Sequence, residues 1–220
     1  MPAGHILKFI PEEYFCILQA GNHGQSSFFI RTRTPGHGIC ANGAAGSAEK
    51  IMYRATALTL LKYKRWVDAR MLSAIAATDA LKHPRNMQKM LRLMNHVHVG
   101  DMVVRSNLTG EIHAYRTLNP RRTPDISSLQ LSMLACSNWY VEHVAAMVQA
   151  DYDTVITYRR IDGKMAQLAT LCLIEQVLLQ GTRHRAEVSW LISSCGGVAP
   201  DEGLMRFMRP PPRTWVKEAR

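Results

Sequence analysis

The sequence predicts an all-α protein, with two packed helical bundles and little or no β structure. Three observations support this prediction. Apolar residues recur at helical spacing through most of the chain, helix-capping residues precede several of these segments, and glycine or proline follows them. Apolar residues make up 47% of the 220 positions and charged residues 20%, which is typical of a globular protein rather than a disordered chain.

The first half of the chain contains three predicted helical segments. Ser47 is a suitable N-cap for the first, whose apolar residues fall on one face. A second apolar pattern covers residues 67–81. Proline is favoured in the first turn of a helix, so Pro84 predicts the start of the third segment.

The second half predicts a loop, two further long helices and a final helical pattern, "AEVSWLISSC", at 186–195. Residues 99–125 contain several proline breakers, and Asp125 is a suitable cap for the helix that follows them. Residues 165–179 are apolar on nearly all sides, which predicts a central helix. Gly181 would end that helix, and a basic turn at 183–185 would follow it.

These segments predict four regions along the chain. An N-terminal helical subdomain covers 1–98 and includes a glycine-rich loop at 21–46, in which "SSFFIRTRT" is the one strand-like stretch. The glycine-rich loop lacks the Lys-Ser/Thr ending of a phosphate-binding P-loop. The other predicted regions are a connecting loop at 99–124, a second helical subdomain at 125–195 and a Gly/Pro-rich basic tail at 196–220.

The charge balance predicts a polyanionic partner. Lys and Arg number 27 against 17 Asp and Glu, so the formal net charge is +10. Such an excess favours binding to nucleic acid or to an anionic membrane surface. No apolar run approaches the length that spans a bilayer, so we expect any membrane contact to be peripheral.

Basic residues occur in short clusters, which are the candidate sites for lipid or RNA. Each cluster could instead be an ordinary solvated helix face. Tyr63 and Trp66 share turns with the first cluster and could lie among lipid headgroups or stack on a base. The candidate residues are Lys62, Lys64, Arg65, Arg85, Lys89, Arg92, Arg121, Arg122, Arg159, Arg160, Arg183 and Arg185.

Four of the nine histidines are candidate pH sensors, since histidine changes charge between about pH 5 and 8. They are His83, His96, His98 and His184. If they lie at a contact between subunits, protonation would loosen an assembly of this protein. The alternative is that they are surface histidines or hydrogen-bonded core histidines.

Catalytic and metal sites are weakly indicated. Cys136 with His143, or Asp101 with His98, could form a catalytic pair, but no nucleophile elbow, carboxylate pair or metal-binding motif accompanies them. The five cysteines are widely spaced and include no CxxC pair. Cys172 and His184 lack the near partners that zinc ligands usually have. We therefore expect no enzyme, no cofactor and no metal.

Two segments resemble the matrix protein of orthomyxoviruses. "KMAQLATLCLIEQ" followed by "RHRAE" is similar to the family's L-G-T-L-C-x-x-C-E segment and its His/Arg-rich turn, with Tyr158 upstream. "PRNMQKMLRL" is similar to the family's P-x-N-M-x-K-x-x-x-L segment. The matching residues are Leu168, Ala169, Thr170, Leu171, Cys172, Glu175, Arg183, His184 and Arg185 in the first segment, and Pro84, Asn86, Met87, Lys89 and Leu93 in the second.

The resemblance covers about residues 66–190 and has clear departures. The family's segment has two cysteines and following histidines, proposed as a zinc motif, whereas this chain has one of each, so a metal is not implied. Residues 1–50 match nothing in the family, the two matches lie further apart here, and the family's C-terminal helical domain is shortened.

The resemblance implies a structural protein. Matrix proteins of this type assemble into a homo-oligomeric layer beneath the viral envelope, and bind anionic lipid and the viral ribonucleoprotein. It implies contacts with glycoprotein tails and a nuclear export protein, and a location in the virion and in the host cytoplasm, nucleus and inner face of the plasma membrane. From the residues alone, an RNA-binding nucleocapsid-like protein is the nearest alternative, and a small helical enzyme is a more distant one.

Overall fold

The computed structural model describes residues 43–209, with side chains described from Tyr53 onward except at Gln149. The predicted strand-like stretch and most of the predicted glycine-rich loop lie outside this range, as does the end of the predicted basic tail. The described chain is mostly helical, which confirms the coarse fold class. The helices are α1 Gly43–Ala76, α2 Pro84–Thr109, α3 Ile126–Ala146, α4 Gln149–Asp153, α5 Thr170–Ser194 and α6 Leu204–Met208; the strands are β1 Val155–Arg159 and β2 Met165–Ala169.

Two of the three predicted helix starts are found in the structure and one is not. Pro84 begins α2. The Asp125 side chain accepts a hydrogen bond of 2.9 Å from the backbone N–H of Ser128 and so caps α3. The prediction of Ser47 as an N-cap is wrong, because α1 already begins at Gly43 and Ser47 lies inside it.

The loop between α2 and α3 is shorter than predicted. Helix α2 continues through Gly100 to Thr109 because Val99, Val103 and Val104 are buried along it, and Gly100 itself lies against the Gln180 side chain of α5. Gly110 ends the helix with φ +72°, in the left-handed region that glycine adopts most easily.

A β-hairpin replaces the start of the predicted central helix. Residues 165–169 form β2, which pairs with β1 in an antiparallel register that sets Tyr158 opposite Ala166. Ile156, Tyr158 and Leu168 pack on the core, while Val155 and Met165 face outward, so the burial alternates with the period of a strand. The long helix therefore begins at Thr170.

Gly181 does not end α5, which runs through it to Ser194. Gly181 is buried, and a Cβ at this position would overlap the guanidinium of Arg185 and lie 3.4 Å from Val97 Cγ1. The glycine therefore allows close packing of α5 against α2, and residues 183–185 are helical rather than a turn.

Four helices share the core. Helix α1 packs on α3 and α5, and α2 packs on α5 and α3. The core has two clusters of buried side chains, one around Tyr140 and Ile174 and the other around Met71, Met94 and Ile192. Helices on both sides of the predicted connecting region contribute to both clusters, and an arrangement as two separate bundles is not confirmed.

A chain of buried ion pairs joins α1, α2 and α5. Lys64 Nζ lies 2.5 Å from Asp101 Oδ2 and 2.8 Å from Asp68 Oδ2. Arg185 Nη1 lies 3.1 Å from Asp68 Oδ1, and Arg185 Nε lies 3.5 Å from Glu202 Oε2. The first four of these residues are no more than 4% exposed. Burial alone would lower the pKa of Lys64, but the two carboxylates beside it outweigh burial and raise that pKa.

The substitution Asp68→Ala should lower the free energy of unfolding by about 3–5 kcal/mol, because it removes the carboxylate that bridges two buried cations. Urea unfolding with linear extrapolation measures the change. Arg206→Ala is the control, since it breaks an exposed ion pair with Asp201 and should cost less than about 1 kcal/mol. Equal, small losses in both variants would show that the buried charges are dispensable.

Candidate polyanion-binding face

The first half of α2 carries a basic stripe. Arg85, Lys89, Arg92 and His96 follow one another at spacings of three or four residues, so they lie on one face of the helix. The three cations are exposed and His96 is half-buried. The stripe ends at His96 because the loop between α2 and α3 folds back here: Asn119 Oδ1 lies 3.2 Å from His96 Nδ1.

Helix α5 runs antiparallel to α2 beside this stripe. Lys89 Nζ lies 2.7 Å from Glu187 Oε1, and the ring centroids of His96 and His184 are 4.6 Å apart. Arg183 is exposed on the outer side of α5 next to His184. The two segments that resemble the matrix family are therefore neighbours in space.

The loop adds two further cations, since Arg121 and Arg122 are exposed and follow Asn119 closely. Exposed cations from three separate parts of the chain thus accompany the contacts that join α2, α5 and the loop. We refer to these cations as the basic face: Arg85, Lys89, Arg92, Arg121, Arg122 and Arg183.

The two histidines of the pair resist protonation. Burial lowers the pKa of His96. Burial, and then the neighbouring His96, lower the pKa of His184. Both rings are therefore neutral at neutral pH, and acidification below their lowered pKa values adds positive charge at the centre of the basic face.

The other two predicted pH sensors lie elsewhere. His83 precedes α2 at its N-cap position. His98 is buried, with Nε2 2.6 Å from Ser132 Oγ and with Nδ1 lacking a hydrogen-bond partner. Burial, and then the nearby Lys64 charge, lower the pKa of His98 from 6.5 to about 4. His98 is therefore not a surface group that gains a proton at pH 5.

The predicted cluster at 62–65 is divided by the fold. Lys62 is exposed, whereas Lys64 is buried in the ion-pair chain and Arg65 Nη1 donates a hydrogen bond of 2.8 Å to Asn138 on α3. Arg185, predicted to face a polyanion, is also buried. Sequence reasoning placed Lys64 and Arg185 at the surface because a cation on an amphipathic helix normally faces water. Both can be buried only because acidic residues on other segments pair with them.

The aromatic residues of the same cluster are also packed inward. The Tyr63 and Trp66 rings lie 5.9 and 5.6 Å from the ring of Phe207 in α6, and Tyr63 OH donates a hydrogen bond to the carbonyl oxygen of Glu202. The prediction that they meet headgroups or bases is therefore not supported by their packing. They hold α6 against α1.

A second basic patch lies on the hairpin. Arg159 and Arg160 are exposed, and Arg160 Nη2 lies 3.4 Å from Asp162 Oδ2. His113 Nε2 lies 3.1 Å from the carbonyl oxygen of Arg159, so the α2–α3 loop supports the hairpin. The hairpin precedes the start of α5, and Arg183 is about 20 Å further along that helix.

The candidate catalytic and zinc pairs are not assembled by this fold. Cys136 is buried, and burial raises the pKa of its thiol to about 12, which keeps it protonated. Asp101 pairs with Lys64 rather than with His98. Cys172 and His184 lie on one helix, about 18 Å apart along its axis. Within residues 53–209, apart from Gln149, no three His, Cys, Asp or Glu side chains are grouped as metal ligands.

No protein-family model matches the chain, and no curated protein or solved structure is significantly similar to it. None of the helices in the described part of the chain is long and apolar enough to cross a bilayer.

Stability should fall in acid because of His98. The unfolded chain takes up the proton near pH 6.5 and the folded protein resists it until about pH 4, so stability is lost as the pH falls between these values. The loss from His98 between pH 7 and pH 5 should be about 2 kcal/mol, measured by urea unfolding at both values.

The variant His98→Gln tests this assignment. It should be less stable than the native protein at pH 7, since the Ser132 contact changes, but it should lose about 2 kcal/mol less on acidification. An acid response equal to that of the native protein would show that other groups are responsible.

Proposed function

We propose that the protein is a viral matrix-type structural protein that binds anionic membrane lipid through the basic face and assembles with copies of itself beneath the envelope. The observation that supports this proposal best is the convergence of three chain segments on one basic surface around a neutral histidine pair. The family resemblance adds to it, because both resembling segments contribute to that surface.

The charge of the basic face suits a reversible peripheral attachment. Its only close acidic residue in the described contacts is Glu187, which Lys89 already neutralises. Five unpaired arginines remain, and each basic residue near an anionic leaflet contributes about 1 kcal/mol. A total of about 5 kcal/mol corresponds to a 10³- to 10⁴-fold enrichment at the membrane, which salt would weaken.

The hairpin patch is the proposed contact for the viral ribonucleoprotein. The hairpin is joined to the start of α5, which lies about 20 Å along the helix from His184, so a single molecule could hold lipid and RNA at different places. In this proposal the unit that polymerises is a two-bundle unit, located in the virion and in the infected cell's cytoplasm, nucleus and plasma membrane. Glycoprotein tails and a nuclear export protein are further proposed partners.

The rival function is an RNA-binding nucleocapsid-like protein, since the same arginines can neutralise phosphates of RNA. The two functions differ in the polyanion on which the protein assembles. A matrix protein forms its layer on anionic vesicles, whereas a nucleocapsid protein assembles on RNA.

Reversing the charge of the basic face should weaken membrane binding strongly. The triple variant Arg85→Glu, Arg92→Glu and Arg183→Glu should bind phosphatidylserine vesicles at least tenfold more weakly than the native protein, by cosedimentation at neutral pH. The matched control is the double variant Arg159→Glu and Arg160→Glu on the hairpin, which should keep its lipid binding and lose affinity for RNA.

Two results would contradict the proposal. Equal binding of the native protein to neutral and phosphatidylserine vesicles would exclude an electrostatic attachment. Ordered assembly on RNA alone, with vesicle binding absent, would favour the nucleocapsid-like function.

A further inference from the structure

An exposed apolar stripe on α5 borders the basic face. Trp190 is 66% exposed and Leu179 is 67% exposed. The positions 179, 183, 186 and 190 are separated by four, three and four residues, so they share one side of the helix. Arg183 and Ala186 therefore lie between two large apolar side chains, and the stripe contains no acidic residue.

Trp190 differs from the other tryptophans of the described chain. Trp66 packs against Phe207, and the ring of Trp139 stacks on His143 at 4.5 Å. Trp190 makes neither a ring contact nor a hydrogen bond with the described residues. Tryptophan has a large apolar area and one N–H donor, so a tryptophan left in water is a candidate contact for a partner.

The stripe and the basic face form one continuous surface, because Arg183 belongs to both. Glu187 is four residues after Arg183 and three residues before Trp190, so it lies between them on the helix surface. Its carboxylate is paired with Lys89 at 2.7 Å, so no unpaired acid separates the apolar side chains from the cations.

This combination matches the chemistry of a membrane interface. Tryptophan is enriched at the level of lipid headgroups, where its ring is in the apolar boundary and its N–H can reach a polar group. An arginine beside the tryptophan can donate two parallel hydrogen bonds to one lipid phosphate. RNA could use the arginine and the ring, but an exposed leucine three turns away offers a base no stacking surface and suits an apolar layer better.

We infer that Trp190 and Leu179 insert into the interfacial layer of an anionic bilayer, with Arg183 between them on the lipid phosphates. The inference rests on the proposed lipid-binding function and specifies which side chains enter the membrane. Attachment would then combine charge with a shallow apolar insertion, which salt does not screen.

Fluorescence with quencher-bearing lipid tests the insertion directly. The probes are phosphatidylserine/phosphatidylcholine vesicles whose acyl chains carry bromine, which quenches tryptophan only at close range. The native protein should show a blue shift and quenching on these vesicles. The fourth tryptophan of the chain, Trp215, is replaced by phenylalanine in all proteins of this test. In that background Trp190→Phe should lose most of both changes, since Trp66 and Trp139 are half-buried and pack against Phe207 and His143.

Affinity provides the second readout. The double variant Trp190→Ala and Leu179→Ala should partition onto anionic vesicles about tenfold more weakly, and the difference should persist at high salt. Leu131→Ala is the matched control, because Leu131 on α3 is similarly exposed, at 71%, and should not change the partition. Far-UV circular dichroism confirms that each variant keeps its helices.

The outcomes separate this inference from the proposed function. Binding to anionic vesicles with no lipid quenching of Trp190 would overturn the inference and leave an electrostatic attachment intact. No binding of the native protein to anionic vesicles would overturn the proposed function itself. Quenching of Trp190 by polyuridylate instead of by brominated lipid would identify a base-stacking contact and would also overturn the inference.

Discussion

The buried ion-pair chain constrains how the main helices meet. Arg185 reaches from α5 into the core to pair with Asp68, and Lys64 joins that carboxylate to Asp101 on α2. Such a network is costly to bury and tolerates little displacement, because each lost partner leaves a charge without compensation. It therefore fixes the rotation and the axial position of α5. Gly181 gives Arg185 the space it needs beside α2.

The position of α5 then determines the surface. Once α5 is antiparallel to α2 in this register, His184 must lie against His96, and Glu187 must lie against Lys89. The loop returning to α3 completes the arrangement through Asn119. The fold thus buries Lys64 and Arg185 and leaves the cations of the basic face exposed, where their combined charge can attract a polyanion.

The surface around α5 combines long-range and short-range interactions. Exposed arginines attract an anionic surface over roughly a Debye length, which is about 8 Å at physiological salt. An exposed tryptophan contributes only on contact, and its contribution does not depend on salt. A peripheral protein that uses both can approach a membrane quickly and remain attached. The histidine pair at the centre of the basic face provides a group whose charge depends on pH.

The sequence by itself determined the helical class, the helix start at Pro84, the helix cap at Asp125 and the basic character of the chain. These properties depend on neighbouring residues, which is why local patterns reveal them. Only the tertiary structure decided that Gly181 lies within a helix, that residues 165–169 form a strand, and that Lys64 and Arg185 are buried while Arg183 is exposed. The physical reason is that these outcomes depend on partners distant in sequence, such as Asp101 for Lys64, Asp68 for Arg185 and β1 for β2, which no local pattern specifies.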